Sequence, residues 1–102
     1  MPGWLPVSEF ELVDKGEGRF ALQGAMSFAT AQNILKQSER LFARYGALEI
    51  DLSGVDKADS AGLALIIEWK SQAATRQADI QFSNVPDGLQ AIARTSEVQD
   101  LI

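Results

Sequence analysis

The stretch DLSGVDKADSAGLALIIEW, residues 51–69, decides the fold, because its hydrophobic period changes partway along. Leading into it, Leu48, Ile50 and Leu52 alternate with Glu49 and Asp51, the period of a half-buried strand, whereas the apolar residues after Gly62 recur at helical spacing. A strand is therefore handed to a helix through a loop that ends in Asp59-Ser60-Ala61-Gly62. Ser60 falls where strand-loop chemistry becomes a helix N-terminus. A hydroxyl there can cap the helix by accepting a hydrogen bond from a free amide, or it can be a modifiable contact on a surface that another protein reads. The two roles are compatible.

Upstream, Phe10 and Leu12 alternate with Glu9 and Glu11, DKGEG supplies a turn, and Phe20 and Leu22 alternate again, which predicts a hairpin. Gly16-Glu17-Gly18 lacks the remaining glycine and the following helix of a phosphate loop, so it reads as the hairpin turn. Phe28, Ala31, Ile34, Leu35, Leu41, Phe42 and Tyr45 then recur at helical spacing, with Ser27 as the candidate cap and Gly46 as the stop. A third strand is expected over residues 47–52, a second helix over residues 60–76 and a fourth strand around Ile80 and Phe82. Pro86, after Asn84 and Val85, suits the first turn of a third helix. Residues 96–102 leave a short further helix and a frayed tail both open, and residues 1–7 are expected to be flexible. This order predicts a single α/β domain over residues 1–102. Its four-stranded mixed sheet carries the helices mainly on one face, and its β-α-β strands run parallel through right-handed crossovers. Leu48, Ile50, Leu52, Ile80 and Phe82 are placed in the core.

Composition excludes several functions. The chain has 102 residues, 46% hydrophobic and 23% charged, the balance of one ordinary globular domain. A net charge of −5 opposes nucleic-acid binding, which needs a basic face to displace counterions, and gives no attraction to anionic lipid. No apolar run approaches the ~20 residues of a spanning helix, so no direct membrane insertion is expected. MPGWLPVSEF lacks a basic n-region and a long apolar h-region, and the protein reads as cytoplasmic. With no histidine and no cysteine, a Ser-His-Asp or Cys-His nucleophile, a His- or thiolate-ligated metal and a disulfide are impossible within this chain. Asp51, Asp56 and Asp59 are the carboxylates near Ser60, and their loop positions suit turn formation better than an acid–base pair with separated pKa values. No catalytic residue, metal or cofactor is assigned, and no turnover is expected.

The second helix has more apolar surface than a sheet requires. At 100° per residue, Gly62, Leu63, Leu65, Ile66, Ile67, Trp69, Ala73 and Ala74 span an arc of roughly 200°, interrupted by Lys70, against the little over 100° that one buried stripe needs. Neighbouring helices can cover the surplus. Alternatively, one edge of the arc meets a partner.

These residues resemble those of the STAS domain family, the module of sulphate transporters and anti-sigma factor antagonists. The resemblance covers nearly the whole chain: a hairpin with FALQG (residues 20–24), a helix, then DLSGVDKADSAGL (residues 51–63), whose Asp-Ser-x-Gly-Leu follows a strand and opens a helix. It implies a protein-binding surface over Asp59, Ser60, Ala61, Gly62, Leu63, Ala64 and Ile67. In anti-sigma antagonists the serine matching Ser60 is phosphorylated by a partner serine kinase, which makes Ser60 a candidate phosphorylation site. Within the family, GLALIIEW (residues 62–69) is most similar to the STAS subunit of Mla-type ABC transporters, which maintain outer-membrane lipid asymmetry. That resemblance implies a partner in the transporter's cytoplasmic ATPase, whose assembly and activity such a subunit supports, and a place beside the inner membrane through that partner. Anti-sigma antagonists often carry a glycine where this chain has Ala64.

Overall fold

The hairpin forms where its turn chemistry places it. Strands β1 (Phe10–Gly16) and β2 (Arg19–Met26) are antiparallel, and the two residues between them, Glu17 and Gly18, have φ of 59° and 81°. Two residues at positive φ match the twist of the flanking strands, as a type I′ connection requires. The structure is a computed structural model and describes residues 9–97. The expectations for residues 1–7 and 98–102 lie outside the described residues.

From β2 the chain continues through α1 (Ala31–Phe42), β3 (Ala47–Ala58), α2 (Ser60–Thr75), β4 (Asp79–Ser83) and α3 (Asp87–Thr95). The sheet order is β1-β2-β3-β4, with β2 parallel to β3 and β3 parallel to β4. A helix between each parallel pair returns the chain to the starting end of the sheet, as a parallel pairing needs. Strand alternation then sorts the two faces. Phe20, Leu22, Ile50 and Leu52 are buried against Ile34, Phe42, Ile66, Trp69 and Leu89 from the three helices. Glu11, Gln23, Glu49 and Gln81 point the other way and are exposed. The four-stranded mixed sheet with its helices on one face is as expected, and Ile80 and Phe82 join the core only at its margin, half-buried.

Four local expectations are corrected. Strand β3 runs on to Ala58 rather than stopping near Leu52, because its register against β2 shifts twice. Asp51 and Gly54 face Ala21 and Gln23, and Val55 and Lys57 face Gly24 and Ala25, so β3 takes an extra residue at each place. Such bulges break the period of two and increase the local twist, which is why the alternation fades after Leu52 while the strand continues. Helix α1 begins at Ala31, not at Phe28, and its N-cap is Thr30, not Ser27. The Thr30 hydroxyl accepts from the Ser27 amide at 2.9 Å and donates to the Ala25 carbonyl at 2.8 Å, locking a turn that leaves Phe28 outside the helix. Pro86 is the N-cap of α3 rather than part of its first turn. Fourth, Asp59, not Ser60, caps α2.

A buried side-chain hydrogen bond helps fasten α1 to α2. The indole of Trp69, 1% exposed, donates to the Ser38 hydroxyl at 2.8 Å, and that hydroxyl donates to the Leu35 carbonyl at 2.8 Å. Ser38→Ala should therefore leave an indole N–H buried without an acceptor, at a cost of about 1–3 kcal/mol. Urea denaturation checks this, and a Ser38→Ala/Trp69→Phe double variant should cost less than the sum of its parts.

Candidate functional site

Asp59 assembles the site by holding three pieces of backbone. Its Oδ1 accepts from the Ala61 amide at 2.8 Å, which caps α2, and its Oδ2 accepts from the Phe28 amide at 3.3 Å. Its own amide donates to the Met26 carbonyl at 3.2 Å, and its carbonyl accepts from the Gly62 amide at 2.9 Å. One residue thus ties the end of β3 to the end of β2 and to the loop before α1. Ser60 becomes the first residue of α2, exposed, with its hydroxyl taking no part in the cap. Aspartate and serine are both good caps, so neighbouring Asp59 and Ser60 look alike to composition. The geometry separates them.

Gly62 lets α2 approach the sheet. A Cβ built there would stand 2.8 Å from the Met26 carbonyl oxygen and 3.1 Å from the Met26 Cβ. Of the residues expected to form a partner surface, Ala61, Gly62 and Leu63 are buried and serve this packing. Ser60 and Ala64 are exposed, while Asp59 and Ile67 are half-buried. At 100° per residue, Ser60, Ala64, Ile67, Ser71 and Ala74 all lie within about 40° of one line along α2. This line is uncharged, small-residued apart from Ile67, and solvent-facing at its start. Most of the apolar surplus of α2 is covered by the α1 and α3 packing on either side, and the remainder is this strip.

Beside the strip runs a surface groove of about 440 Å³ between α1 and α2, with Phe28, Ala31 and Leu35 on one wall and Ser60, Ala64 and Leu65 on the other. Phe28 is 79% exposed, the large hydrophobic side chain that the described residues leave in solvent. The helical spacing assigned it to a buried face. The signal that corrects this is Thr30, a cap residue two places later, which puts Phe28 in the preceding turn. A second hollow of about 410 Å³ is lined by Gly18, Arg19, Ala47 and Asp79 at the starts of β2, β3 and β4. Ser60 sits at the opposite, carboxyl end of the parallel strands, the end at which open α/β sheets present their functional loops.

The carboxylates do not converge. Asp51 accepts from the Asn84 side chain at 3.0 Å and the Ser53 amide at 2.9 Å, with the Lys15 ammonium at 3.9 Å. These bonds, the one from Asn84 foremost, hold its carboxyl below the ordinary carboxylate range. Asp51 lies within β3, not in a loop, and is an ionised group that ties β3 to Asn84 just past β4 and to Lys15 on β1, unlike the raised-pKa partner of an acid–base pair. Asp56 is exposed, and both oxygens of Asp59 are engaged. Among the described residues no three acidic side chains gather as metal ligands, and no helix is long and apolar enough to cross a membrane.

A family model described as "Mlab, STAS domain" matches residues 13–102. No curated protein matches the chain. Among solved structures, the unphosphorylated anti-sigma factor antagonist SpoIIAA superposes with a TM-score of 0.70 at 10% identity, over 90% of this chain and 84% of that one. An anti-sigma factor antagonist from Mycobacterium paratuberculosis gives a TM-score of 0.70 at 16% identity, over 91% and 82%. Mglu gives 0.59 at 22% identity, over 76% of this chain but 20% of its own length. At these identities the likeness is one of fold.

Proposed function

The chain belongs to the STAS domain family, and from that premise we propose that it is a non-catalytic subunit binding the cytoplasmic ATPase of a Mla-type ABC transporter. In this reading it supports the assembly and activity of an ATPase that helps maintain outer-membrane lipid asymmetry, and it sits at the inner membrane through that partner. The observation that carries the reading is the uncharged strip of Ser60, Ala64 and Ile67 next to a solvent-exposed Phe28. A large aromatic beside small side chains on a rigid helix is the anatomy of an interface anchor. The description "Mlab" of the matching family supports the transporter as its context.

The exposed Ser60 hydroxyl favours a second reading, an anti-sigma factor antagonist switched by a serine kinase. A phosphate there would add about −1.5 to −2 charge at the start of α2, beside Asp59. The helix dipole would tolerate it, while a close-fitting partner would not.

The test is binding of the purified chain to the ATPase subunit of the Mla-type transporter from the same organism, measured by calorimetry, with Phe28→Ala as the variant. Phe28 is mostly in solvent, so the thermal melt should hardly move, within about 0.5 kcal/mol. Affinity should fall by about 1–3 kcal/mol, roughly five- to a hundred-and-fiftyfold. A native chain that ignores the ATPase but is phosphorylated on Ser60 by a serine kinase would replace the first reading with the second.

A further inference from the structure

Helix α1 runs against the charge of the rest of the molecule. Lys36, Arg40 and Arg44 stand four residues apart, so they follow one row along the helix and just past its end, and all three are exposed. Residues 31–44 contain one carboxylate, Glu39, and therefore carry +2 in a chain whose net charge is −5. Among the described residues the ion pair formed is Lys15 with Asp51, so none of the three cations is neutralised from within. The helix dipole accounts for Arg40 in the last turn and Arg44 just beyond the C-cap, but not for Lys36 in the middle. Like charges at this spacing repel. Folding alone does not call for the row.

The same row begins at Gln32, which lines the groove beside Phe28 and Ser60, across from Glu68, the charged residue on the α2 wall, so the basic character lies along α1 beyond the groove rather than within it. Groove and basic row are thus one continuous surface, about 18 Å long at 1.5 Å per residue. We infer that this surface receives an acidic segment of the partner, with apolar side chains against Phe28 and carboxylates along Lys36, Arg40 and Arg44. The inference rests on the ATPase-binding reading and adds the chemistry by which that partner is recognised. Anionic lipid is the other polyanion, and it fits worse. Three cations in an acidic domain fall short of the cluster of about four to eight that holds a protein on an anionic bilayer. Paired charges at the margin of an interface act mainly on the rate of encounter, and salt screens them.

The experiment uses the full chain and the cognate ATPase, with affinity and association rate measured at about 50 mM and about 300 mM salt. Lys36→Glu/Arg40→Glu should bind at least about tenfold more weakly at low salt, chiefly through slower association, and the gap should narrow at high salt. Arg19→Glu/Arg94→Glu makes the same charge change at exposed sites elsewhere and should stay within about twofold of the native chain. Circular dichroism melts check that both variants fold. Equal loss in both variants would reduce the effect to net charge and overturn the inference. So would an unaffected Lys36→Glu/Arg40→Glu variant while Phe28→Ala still weakens binding, which would leave the ATPase reading standing. A native chain that does not bind the ATPase removes both. Flotation of the native chain with phosphatidylglycerol–phosphatidylethanolamine vesicles, lost in Lys36→Glu/Arg40→Glu, would assign the row to lipid instead.

Discussion

Gly62→Ala should destabilise the domain by about 1–3 kcal/mol and weaken partner binding along with it. In an exposed helix the same change is stabilising by about 0.5–1 kcal/mol, because glycine has more conformational freedom to lose, so the sign of the effect is diagnostic. The new methyl would lie 2.8 Å from the Met26 carbonyl oxygen. That oxygen cannot turn aside cheaply, since it belongs to β2 and accepts from the Asp59 amide at 3.2 Å. Relief has to come from α2 moving away from the sheet. Ser60 and Ala64 would move with it, so the cost to the core and the cost to the site arise from one displacement. Urea denaturation at matched salt gives the first and calorimetry the second. A variant more stable than the native chain would mean that α2 lies farther from β2 than it does here.

The fold was legible where a single period ran long enough to be counted. Leu48, Ile50 and Leu52 marked β3, Phe20 and Leu22 marked β2, and the switch of spacing after Gly62 placed the start of α2 at Ser60. Legibility failed where a local hydrogen bond or bulge overrode the pattern. The two register shifts in β3 hide its last six residues, because buried Leu52 and Val55 are three apart instead of two. Phe28 falls at the edge of the apolar arc of α1, close enough to be counted with it, and the bonds of Thr30 to Ser27 and Ala25 hold it in the turn before the helix. At the site, side-chain chemistry could propose a cap among Asp59 and Ser60 without deciding between them. Burial was harder still. Ala61, Gly62, Leu63 and Ala64 are consecutive and small or apolar, yet three face the sheet and its helices and one faces solvent.

Moving the cap from Ser60 to Asp59 changes what substitutions at Ser60 can report. Ser60→Ala no longer removes a hydrogen bond from the α2 N-terminus, because the Ala61 amide is held by Asp59 at 2.8 Å. Alanine is also the best helix former, so stability should stay within about 0.5 kcal/mol of the native value. Ser60→Asp places a second carboxylate at the first helical position. There the attraction of the helix dipole works against repulsion from Asp59, and the fold should again be retained. Binding should separate the two. The strip is uncharged and small, so alanine preserves its shape, with affinity within about threefold of native. Aspartate would be carried into a close interface without a partner charge, a situation that costs about 3–5 kcal/mol, or a hundredfold loss and more. The expected pattern is two variants of near-equal melting temperature, one binding and one not. Native-like affinity in Ser60→Asp would show that the partner does not cover Ser60, and would move the interface away from the start of α2 to another face of the domain.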